Sequence, residues 1–357
     1  MPSQHHSVSL DIVKCHLEHV CLEDSHLLRT LKESPQGQLH PQVNWDDWSS
    51  SSAYGEAQKW RYTWGDYVAL SYAWGNLTKT REIILNGHRT SVGTNLEDAL
   101  RVLRSKRPIQ AGYKIWIDAL CINQRDIVER GREVKRMRQI YSQATDIIIW
   151  LGNKENDSDK ALTLIRILSN SYSTGQDRTL GAALRQKPSL LGPGSWRALS
   201  QLLDRPYWDR LWVLQEIVLG GDKTPIFCGH QVVTWGDLYN ATYLFGMHNF
   251  DIMFSLIDRE RKDAGLPVAG LKRNKIIHLK EEQLVQAGQG KEHAMCMLDL
   301  ARKSLATDAK DKIYGVLGMM ETSVADQITP DYTSTLAEVF TSFAKAMIVA
   351  SKSVVFC

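Results

Sequence analysis

The first candidate for chemistry is a glutamate within a tryptophan-rich segment. In RPYWDRLWVLQEIVLG (205–220), Trp208, Trp212 and Glu216 recur at intervals of four residues, so on a continuous helix they would form one ridge. Glu216 would then lie at the edge of an apolar stripe, above an indole ring. Because desolvation raises the pKa of a carboxyl group, an acid in this place is a candidate functional group. The structural alternative is a boundary glutamate that pairs with a nearby arginine such as Arg210 or Arg205.

A second group of polar residues follows the first two predicted strands of the chain. Ligands of open parallel sheets bind beyond the carboxyl ends of the strands, so side chains at this edge are candidates for a binding site. Each also has a structural interpretation: Asp118 could cap the next loop, Gly75 could serve only a turn, and Asn123 could hold the loop or cap the following helix. The candidate binding residues at this edge are Ser71, Tyr72, Trp74, Gly75, Asp118 and Asn123.

Several other chemistries find no support in the sequence. Cys121 lies in the same loop as Asn123 but has no histidine near it in sequence, so a nucleophilic cysteine is not predicted. The absence of a GxxxxGK[ST] loop argues against a Walker-type NTPase, and the absence of GxGxxG argues against a dinucleotide held as a cofactor. The 6 cysteines form no CxxC pair, so no metal site is predicted.

The elements that must position these residues form an α/β pattern. Residues 114–152 read as a strand, a polar loop, a helix that begins at Asp126 and a buried strand, which together make a βαβ unit. Glu129, three residues after Asp126, fits a capping box. Strands that alternate with helices indicate a parallel sheet, and the four predicted strands cover residues 67–72, 114–118, 146–151 and 224–228.

Further elements are predicted around this unit. Asn86 and Gly87 predict the turn of a β-hairpin over residues 82–92, and Asn95 is predicted to cap a helix that runs to residue 104. The segment 205–220 is predicted to be one helix, and residues 170–194 a loop. The predicted organisation is a lead-in (1–60), an α/β domain (61–250) and a helical C-terminal extension (251–357).

Composition limits the classes of function. The chain is 43% hydrophobic and 23% charged, as in ordinary soluble globular proteins. A net charge of +3 is too small to indicate nucleic acid or a membrane surface as a partner. No apolar run is long enough to predict a membrane-spanning helix. The free thiols predict a reducing compartment, so the expected location is cytoplasmic or nuclear.

Three segments in order resemble the fungal heterokaryon-incompatibility (HET) domain. They are YVALSYAWGN (67–76), IWIDALCINQRDIVERGREVKRMRQIYSQATDIIIWLG (115–152) and RPYWDRLWVLQEIVLG (205–220). Residues 306–332 resemble a piece that often follows this domain, and Glu133 departs from the family, which more often has Gln. Proteins of this family trigger or amplify programmed cell death when genetically unlike hyphae fuse. The resemblance therefore implies a cell-death effector of heterokaryon incompatibility.

The HET domain is in turn remotely similar to Toll/interleukin-1 receptor (TIR) domains. This resemblance implies a flavodoxin-like parallel sheet flanked by helices, with a β-hairpin insertion and a helical C-terminal extension. The TIR motif in which a tryptophan precedes a glutamate by four residues falls on Trp212 and Glu216. In TIR enzymes that glutamate serves cleavage of NAD at the nicotinamide–ribose bond. The resemblance thus implies Glu216 as the catalytic residue, NAD as substrate rather than cofactor, and Trp74 or Trp212 as a stacking surface.

Two functions are consistent with the resemblance. In the first, the chain self-associates and cleaves NAD or a related nucleotide through Glu216. In the second, it is a non-catalytic module that recruits other incompatibility proteins, and its tryptophans belong to the core. A third interpretation is an α/β domain with another small-molecule activity. Catalysis requires Glu216 to face the same cleft as Ser71 and Asp118, whereas a scaffold does not.

Overall fold

Two β-sheets organise the chain, one of five strands and one of three. The computed structural model describes residues 12–17, 67–110, 113–187, 189–244, 252–267, 273–286 and 294–351. In chain order the strands are β1 (Lys14–Cys15), β2 (Tyr67–Tyr72), β3 (Thr80–Leu85), β4 (His88–Gly93), β5 (Lys114–Trp116), β6 (Asp146–Trp150), β7 (Pro225–Cys228) and β8 (Gln231–Thr234).

Helices connect and cover these strands, which confirms the predicted α/β class. In chain order they are α1 (Thr94–Leu103), α2 (Arg107–Gln110), α3 (Asp118–Cys121), α4 (Ile127–Gln143), α5 (Ser158–Ser173), α6 (Asp177–Gln186), α7 (Ser195–Leu203), α8 (Val213–Val218), α9 (Trp235–Tyr243), α10 (Ile252–Asp263), α11 (Arg273–Gln286), α12 (Ala294–Lys303), α13 (Asp311–Leu317), α14 (Thr322–Ala325) and α15 (Leu336–Ser351). Within the described part of the chain, no helix has both the length and the apolarity needed to cross a membrane.

The five-stranded sheet has the spatial order β5-β2-β6-β7-β8. Its first four strands are parallel, as predicted, and β8 pairs antiparallel with β7, so the sheet is mixed. Strand β5 is shorter than predicted, because it ends at Trp116 and Asp118 already begins α3. The carboxyl end of β2, the strand next to the edge strand β5, therefore lies between the ends of β5 and β6.

All six residues of β2 are buried, because helices cover both faces of the sheet. Val68 and Leu70 belong to the apolar cluster that contains the buried residues of α1, whereas Tyr67 and Ala69 pack with those of α4. Side chains of a strand alternate between its two faces. Ser71 follows the alternation of Tyr67 and Ala69 and therefore faces the layer of α4.

The three-stranded sheet contains the predicted hairpin, which runs from residue 80 to residue 93. Asn86 and Gly87 both have positive φ, 50° and 83°, as a two-residue type I′ turn requires. Strand β1 pairs parallel with β3, so a short part of the predicted lead-in joins this sheet. Residues 1–11 and 18–60 of that lead-in lie outside the described residues.

The start of α1 differs from the prediction. The helix begins at Thr94, and Asn95 is its second residue rather than its N-cap. The Asn95 amide instead donates to the Ala73 carbonyl oxygen at 2.6 Å and accepts from Trp150 Nε1 at 2.9 Å. Asn95 was predicted as a cap because its side chain hydrogen-bonds backbone groups readily. It uses that capacity to join the loop after β2 to β6.

The start of α4 is as predicted, but its capping box is not formed. The Asp126 carboxylate accepts hydrogen bonds from the backbone N–H groups of Val128 and Glu129, which satisfies two donors of the first turn. Glu129 does not return to Asp126. Its Oε1 accepts from the backbone N–H of Asn123 at 2.9 Å and so closes the preceding loop.

The segment 205–220 is not one helix, and the predicted tryptophan–glutamate ridge is wrong. A 3-10 turn covers Pro206–Asp209, Arg210 is extended with φ −65° and ψ 143°, and α8 follows. The cause is a partner far away in sequence, because Arg210 forms a parallel bridge with Leu305. An extended residue interrupts the helical hydrogen-bond pattern, so Trp208 and Glu216 do not share a face.

Residues 170–194 also differ from the prediction. They were expected to form a loop, but they contain the last turn of α5 and the whole of α6.

One apolar cluster joins both halves of the chain. It includes buried residues of α5, α7 and α8 together with buried residues of α10, α11, α12, α13 and α15.

Candidate active site

Ser71 and Glu216 meet inside the fold at the carboxyl end of β2. Ser71 Oγ donates to Glu216 Oε2 at 2.5 Å and lies 2.7 Å from the Tyr207 hydroxyl. The Tyr141 hydroxyl of α4 donates to the Leu70 carbonyl oxygen at 3.2 Å and also lowers the pKa of Glu216. Ser71 is 0% exposed and Glu216 2% exposed, so the acid is enclosed by hydroxyl groups rather than open to water.

A single arginine serves two acids in this region. The Arg210 guanidinium donates to the carbonyl oxygen of Tyr72, and its charge acts on both Glu216 and Asp118. Asp118 Oδ2 accepts from Trp74 Nε1 at 2.8 Å. Asp118 and Arg210 are partly exposed, so they lie between the buried glutamate and solvent. We refer to Ser71, Asp118, Arg210 and Glu216 as the acid–arginine cluster.

Burial dominates the ionisation of both acids. It raises the pKa of Glu216 to about 7, against the opposing effects of the Arg210 charge and the hydrogen bond from Ser71. Burial also raises the pKa of Asp118, again against the opposing charge of Arg210. One cation therefore does not compensate the desolvation of two carboxylates, and Glu216 exchanges its proton near neutral pH.

Most of the residues predicted for this edge of the sheet do come together. Ser71 contacts Glu216 directly, while Tyr72 and Trp74 both hydrogen-bond Asp118. Glu216 therefore lies beside Ser71, and the charge of Asp118 acts on it. The prediction was that Glu216 faces the same cleft as Ser71 and Asp118, but Glu216 and Ser71 are both buried rather than open to a cleft.

Three predicted site residues lie elsewhere. Gly75 has φ +72° and serves a turn. Asn123 is exposed, and its Oδ1 accepts from the backbone N–H of Arg125 at 3.2 Å, so it holds the loop. Trp212 precedes α8, and its side chain lies near Asp311 rather than in the cluster.

Sequence reasoning missed three residues of the site. Tyr141 and Tyr207 were not predicted as site residues, because a tyrosine in an apolar stripe looks like core. Arg210 was considered only as the partner of a boundary glutamate. The signal that could have identified it is its position beside a buried acid, since a buried carboxylate needs a cation or several donors.

A cavity of about 640 Å³ lies away from this cluster. It runs along the outer edge of β5, and its described lining includes Leu100, Ile115, Trp116 and Arg136. None of the eight predicted site residues, all of which are described, lines it. Cavity size and chemistry therefore point to different places, and the paired acids identify the candidate site.

Comparison with known proteins identifies a domain within this chain. Residues 67–216 match the family model described as heterokaryon incompatibility protein (HET), a range that begins with β2 and ends at Glu216. The chain is 28% identical over 322 residues to heterokaryon incompatibility protein 6, OR allele, of Neurospora crassa; the match covers 79% of this chain and 47% of the relative. The chain thus spans about half the length of that curated relative. No solved structure matches the chain at a significant level. Residues 67–216, which contain the whole acid–arginine cluster, are therefore a HET domain.

Proposed function

We propose that the chain acts in heterokaryon incompatibility as a cell-death effector that cleaves NAD or a related nucleotide at the nicotinamide–ribose bond. Glu216 is the catalytic carboxylate of this reaction. The observation that carries the proposal is the hydrogen bond between Ser71 and Glu216 at the carboxyl end of β2. Ligands of parallel sheets bind at this edge, and a buried acid with a shifted pKa is typical of a functional group there.

The chemistry suits a single carboxylate. Nicotinamide leaves as a neutral molecule from a cationic pyridinium, so the reaction needs no general acid. The ribosyl group becomes an oxocarbenium-like cation, and an ionised Glu216 stabilises that charge in a site of low polarity. Water then adds to the cation and loses a proton, which gives the free ribosyl product. The Ser71 and Tyr207 hydroxyl groups hold the carboxylate in one orientation. Asp118 is placed to accept hydrogen bonds from ribose hydroxyl groups.

Burial of Glu216 imposes one condition on this reaction. The substrate reaches the carboxylate only when the outer layer opens, and that layer contains the partly exposed Asp118 and Arg210. Trp74 is fixed to Asp118 by a hydrogen bond and moves with it. Opening at this layer therefore precedes substrate binding in each turnover.

The order of the strands supports a TIR-like, flavodoxin-like architecture. In sequence order, the four parallel strands stand in space as second, first, third and fourth. Flavodoxin-like folds share this order, and they bind ligands where the direction of winding reverses, beside the first strand. Ser71 belongs to that strand. The antiparallel β8 departs from an all-parallel sheet.

The test is NAD consumption by concentrated purified protein. Glu216→Gln keeps the size of the side chain and one acceptor oxygen but removes the charge, so nicotinamide release should fall on the order of 100-fold. Glu97→Gln is a matched control, because Glu97 is also buried, at 1% exposed, and binds Arg81 at 2.9 Å away from the cluster. That variant should retain wild-type turnover. Wild-type protein that leaves NAD intact, or equal turnover in both variants, would refute the enzymatic function.

The second candidate function is a non-catalytic module that self-associates or recruits other incompatibility proteins. The observation in its favour is an exposed apolar face on α15, where Leu336, Phe340 and Ile348 are 46%, 43% and 36% exposed at four- and eight-residue spacing. The same variant separates the two functions in cells. Glu216→Gln abolishes killing if the carboxylate is catalytic and leaves it intact if the module acts by binding.

A further inference from the structure

The backbone on the N-terminal side of Glu216 is held by a segment beyond the matched HET residues. The N–H of Leu211 donates to the carbonyl oxygen of Leu305 at 2.9 Å, and the N–H of Leu305 donates to that of Asp209 at 2.5 Å. Lys275 Nζ reaches the same place, where it donates to the Trp208 carbonyl oxygen at 2.5 Å. These bonds keep the backbone of Arg210 extended. The Arg210 side chain therefore does not point in the direction that a helix would give it.

A side-chain contact anchors the next residue. The Trp212 side chain lies near the carboxylate of Asp311, the first residue of α13, and lowers the pKa of that carboxyl group. Asp311 Oδ1 also accepts from the Tyr332 hydroxyl at 2.6 Å. The Arg130 guanidinium of α4 lies 3.9 Å from the centre of the Tyr332 ring. Asp311 thus links the start of α8 to the C-terminal segment and, through Tyr332, to α4.

Two glycines let α13 and the residue after it approach this region closely. A Cβ atom at Gly315 would lie 3.0 Å from Leu211 Cγ, and one at Gly318 would lie 2.1 Å from Gln215 Nε2. Leu211 and Gln215 are 0% and 3% exposed, so neither has free space in which to move. The contact between α13 and residues 211–215 is therefore tight.

From these contacts we propose that residues 305–332 are part of the HET site, with Leu305 and Asp311 as positioning residues that place Arg210 against Glu216 and Asp118. The segment follows the matched domain and touches no reacting group itself. It acts through the backbone of residues 209–212. The inference deepens the proposed function, because release of this segment is a route by which the cluster opens.

Release of residues 305–332 should change the proton affinity of Glu216. Arg210 lowers the pKa of Glu216, whereas Asp118 raises it, and the hydroxyl groups of Ser71 and Tyr141 complete its polar surroundings. If residues 210–212 lose their anchor, the guanidinium moves away and its opposing effect is lost. A nearby opposite charge favours the ionised carboxylate, so the pKa of Glu216 should rise when the guanidinium moves away.

The experiment measures the protonation of Glu216 by infrared spectroscopy, with the band of its protonated carboxyl identified by its loss in Glu216→Gln. Asp311→Leu removes the carboxylate beside Trp212 and Tyr332. Trp212→Phe keeps an aromatic ring but removes the N–H donor, and is the milder change if Asp311→Leu does not fold. Both should raise the pKa of Glu216 above its wild-type value of about 7.

Asp299→Asn is the control, because Asp299 is an exposed acid on α12 that pairs with Arg302 and Lys303 and does not touch residues 209–212. It should leave the pKa of Glu216 unchanged. An unchanged pKa in a folded Asp311→Leu or Trp212→Phe variant overturns the inference. The readout needs no turnover, so failure of the wild-type protein to cleave NAD would refute the proposed function alone. Where NAD is cleaved, the rising limb of the pH–rate profile should shift to higher pH in both variants.

Discussion

Glu216 combines features that a purely structural acid would not need. Its carboxylate accepts a hydrogen bond from Ser71, and the pKa of its carboxyl group is about 7. A core position filled by an apolar residue avoids the desolvation of a charge, which is the larger part of this shift. Burying Glu216 therefore costs the fold desolvation free energy, and buried acids with shifted pKa values concentrate at functional sites.

That cost should be measurable as a pH dependence of stability. The pKa of Glu216 is about 7 in the folded protein against 4.5 for the free side chain, so between these values the folded state holds a proton that the unfolded state has released. The free energy of unfolding of the wild type therefore falls as pH rises through this range. Glu216→Gln carries no such proton. Its stability relative to the wild type should increase by roughly 2–3 kcal/mol between pH 5 and pH 8.

Urea unfolding of both proteins at unit steps of pH would measure this difference. Asp118 and Arg210 are present in both proteins, so their contributions largely cancel in the comparison. A stability difference that stays constant from pH 5 to pH 8 would contradict the raised pKa and would place Glu216 among ordinary boundary acids.

At the level of single residues, the sequence predicted which residues meet better than it predicted how they are arranged. Ser71, Asp118 and Glu216 could be predicted, because parallel strands bring their carboxyl ends to one edge. Trp212 could not be placed, because its partner Asp311 is distant in sequence. The role of Asn123 was open for a different reason, since an asparagine in a loop caps backbone groups as readily as it binds a ligand.

At the level of elements, local pattern predicted what local forces determine. The hairpin at Asn86 and the start of α4 at Asp126 depend on nearby backbone chemistry, and both are confirmed. The break at Arg210 was not predictable in this way. Residues 205–220 satisfy a helical pattern, but the bridge to Leu305 replaces helical hydrogen bonds with extended ones. Tertiary pairing therefore overrides the local preference.

The close approach of α13 gives a prediction at this scale. Gly315→Ala would place a Cβ atom 3.0 Å from both Cγ and Cδ2 of Leu211, which is fully buried. Because the core there has no space to relax, the substitution should lower the free energy of unfolding by about 1–3 kcal/mol. This loss of stability from overpacking would outweigh the gain in helix propensity of about 1 kcal/mol that alanine brings over glycine.

Gly221→Ala is the matched control for this measurement. A Cβ atom at Gly221 meets nothing within 4 Å, and the backbone there does not have positive φ. Its effect on the free energy of unfolding should stay within about 0.5 kcal/mol. If Gly315→Ala behaves like this control, the packing of α13 on residues 211–215 is looser than described.

At the level of the whole molecule, the matched HET residues do not contain a complete core. The match ends at Glu216, yet the apolar cluster around α8 continues into α10, α11, α12 and α13. Gln283 of α11 donates to the carbonyl oxygen of Ile217 at 2.7 Å and so holds the last turn of the helix that carries Glu216. The similarity to the Neurospora crassa protein, which covers 79% of the chain, likewise extends beyond residue 216.

The boundary that the sequence predicts at residue 250 can be tested on fragments. A fragment of residues 61–250 loses the apolar partners of α7 and α8 and exposes surfaces buried in the full chain, among them those covered by Met253, Leu279 and Ile313. It also loses the backbone bridge from Leu305. We expect this fragment to lack a cooperative thermal transition and to bind a hydrophobic dye, because its apolar surface has no cover.

A longer fragment, residues 61–333, is the comparison that makes the test specific. It retains Leu305, Asp311 and Tyr332 and ends shortly before α15, so it should unfold cooperatively at a temperature closer to that of the full chain. Because both fragments contain every residue of the acid–arginine cluster, a difference between them measures the contribution of residues 251–333 to the fold. A fragment 61–250 that unfolds as cooperatively as the full chain would restore the boundary at 250 and make the C-terminal region a separate unit.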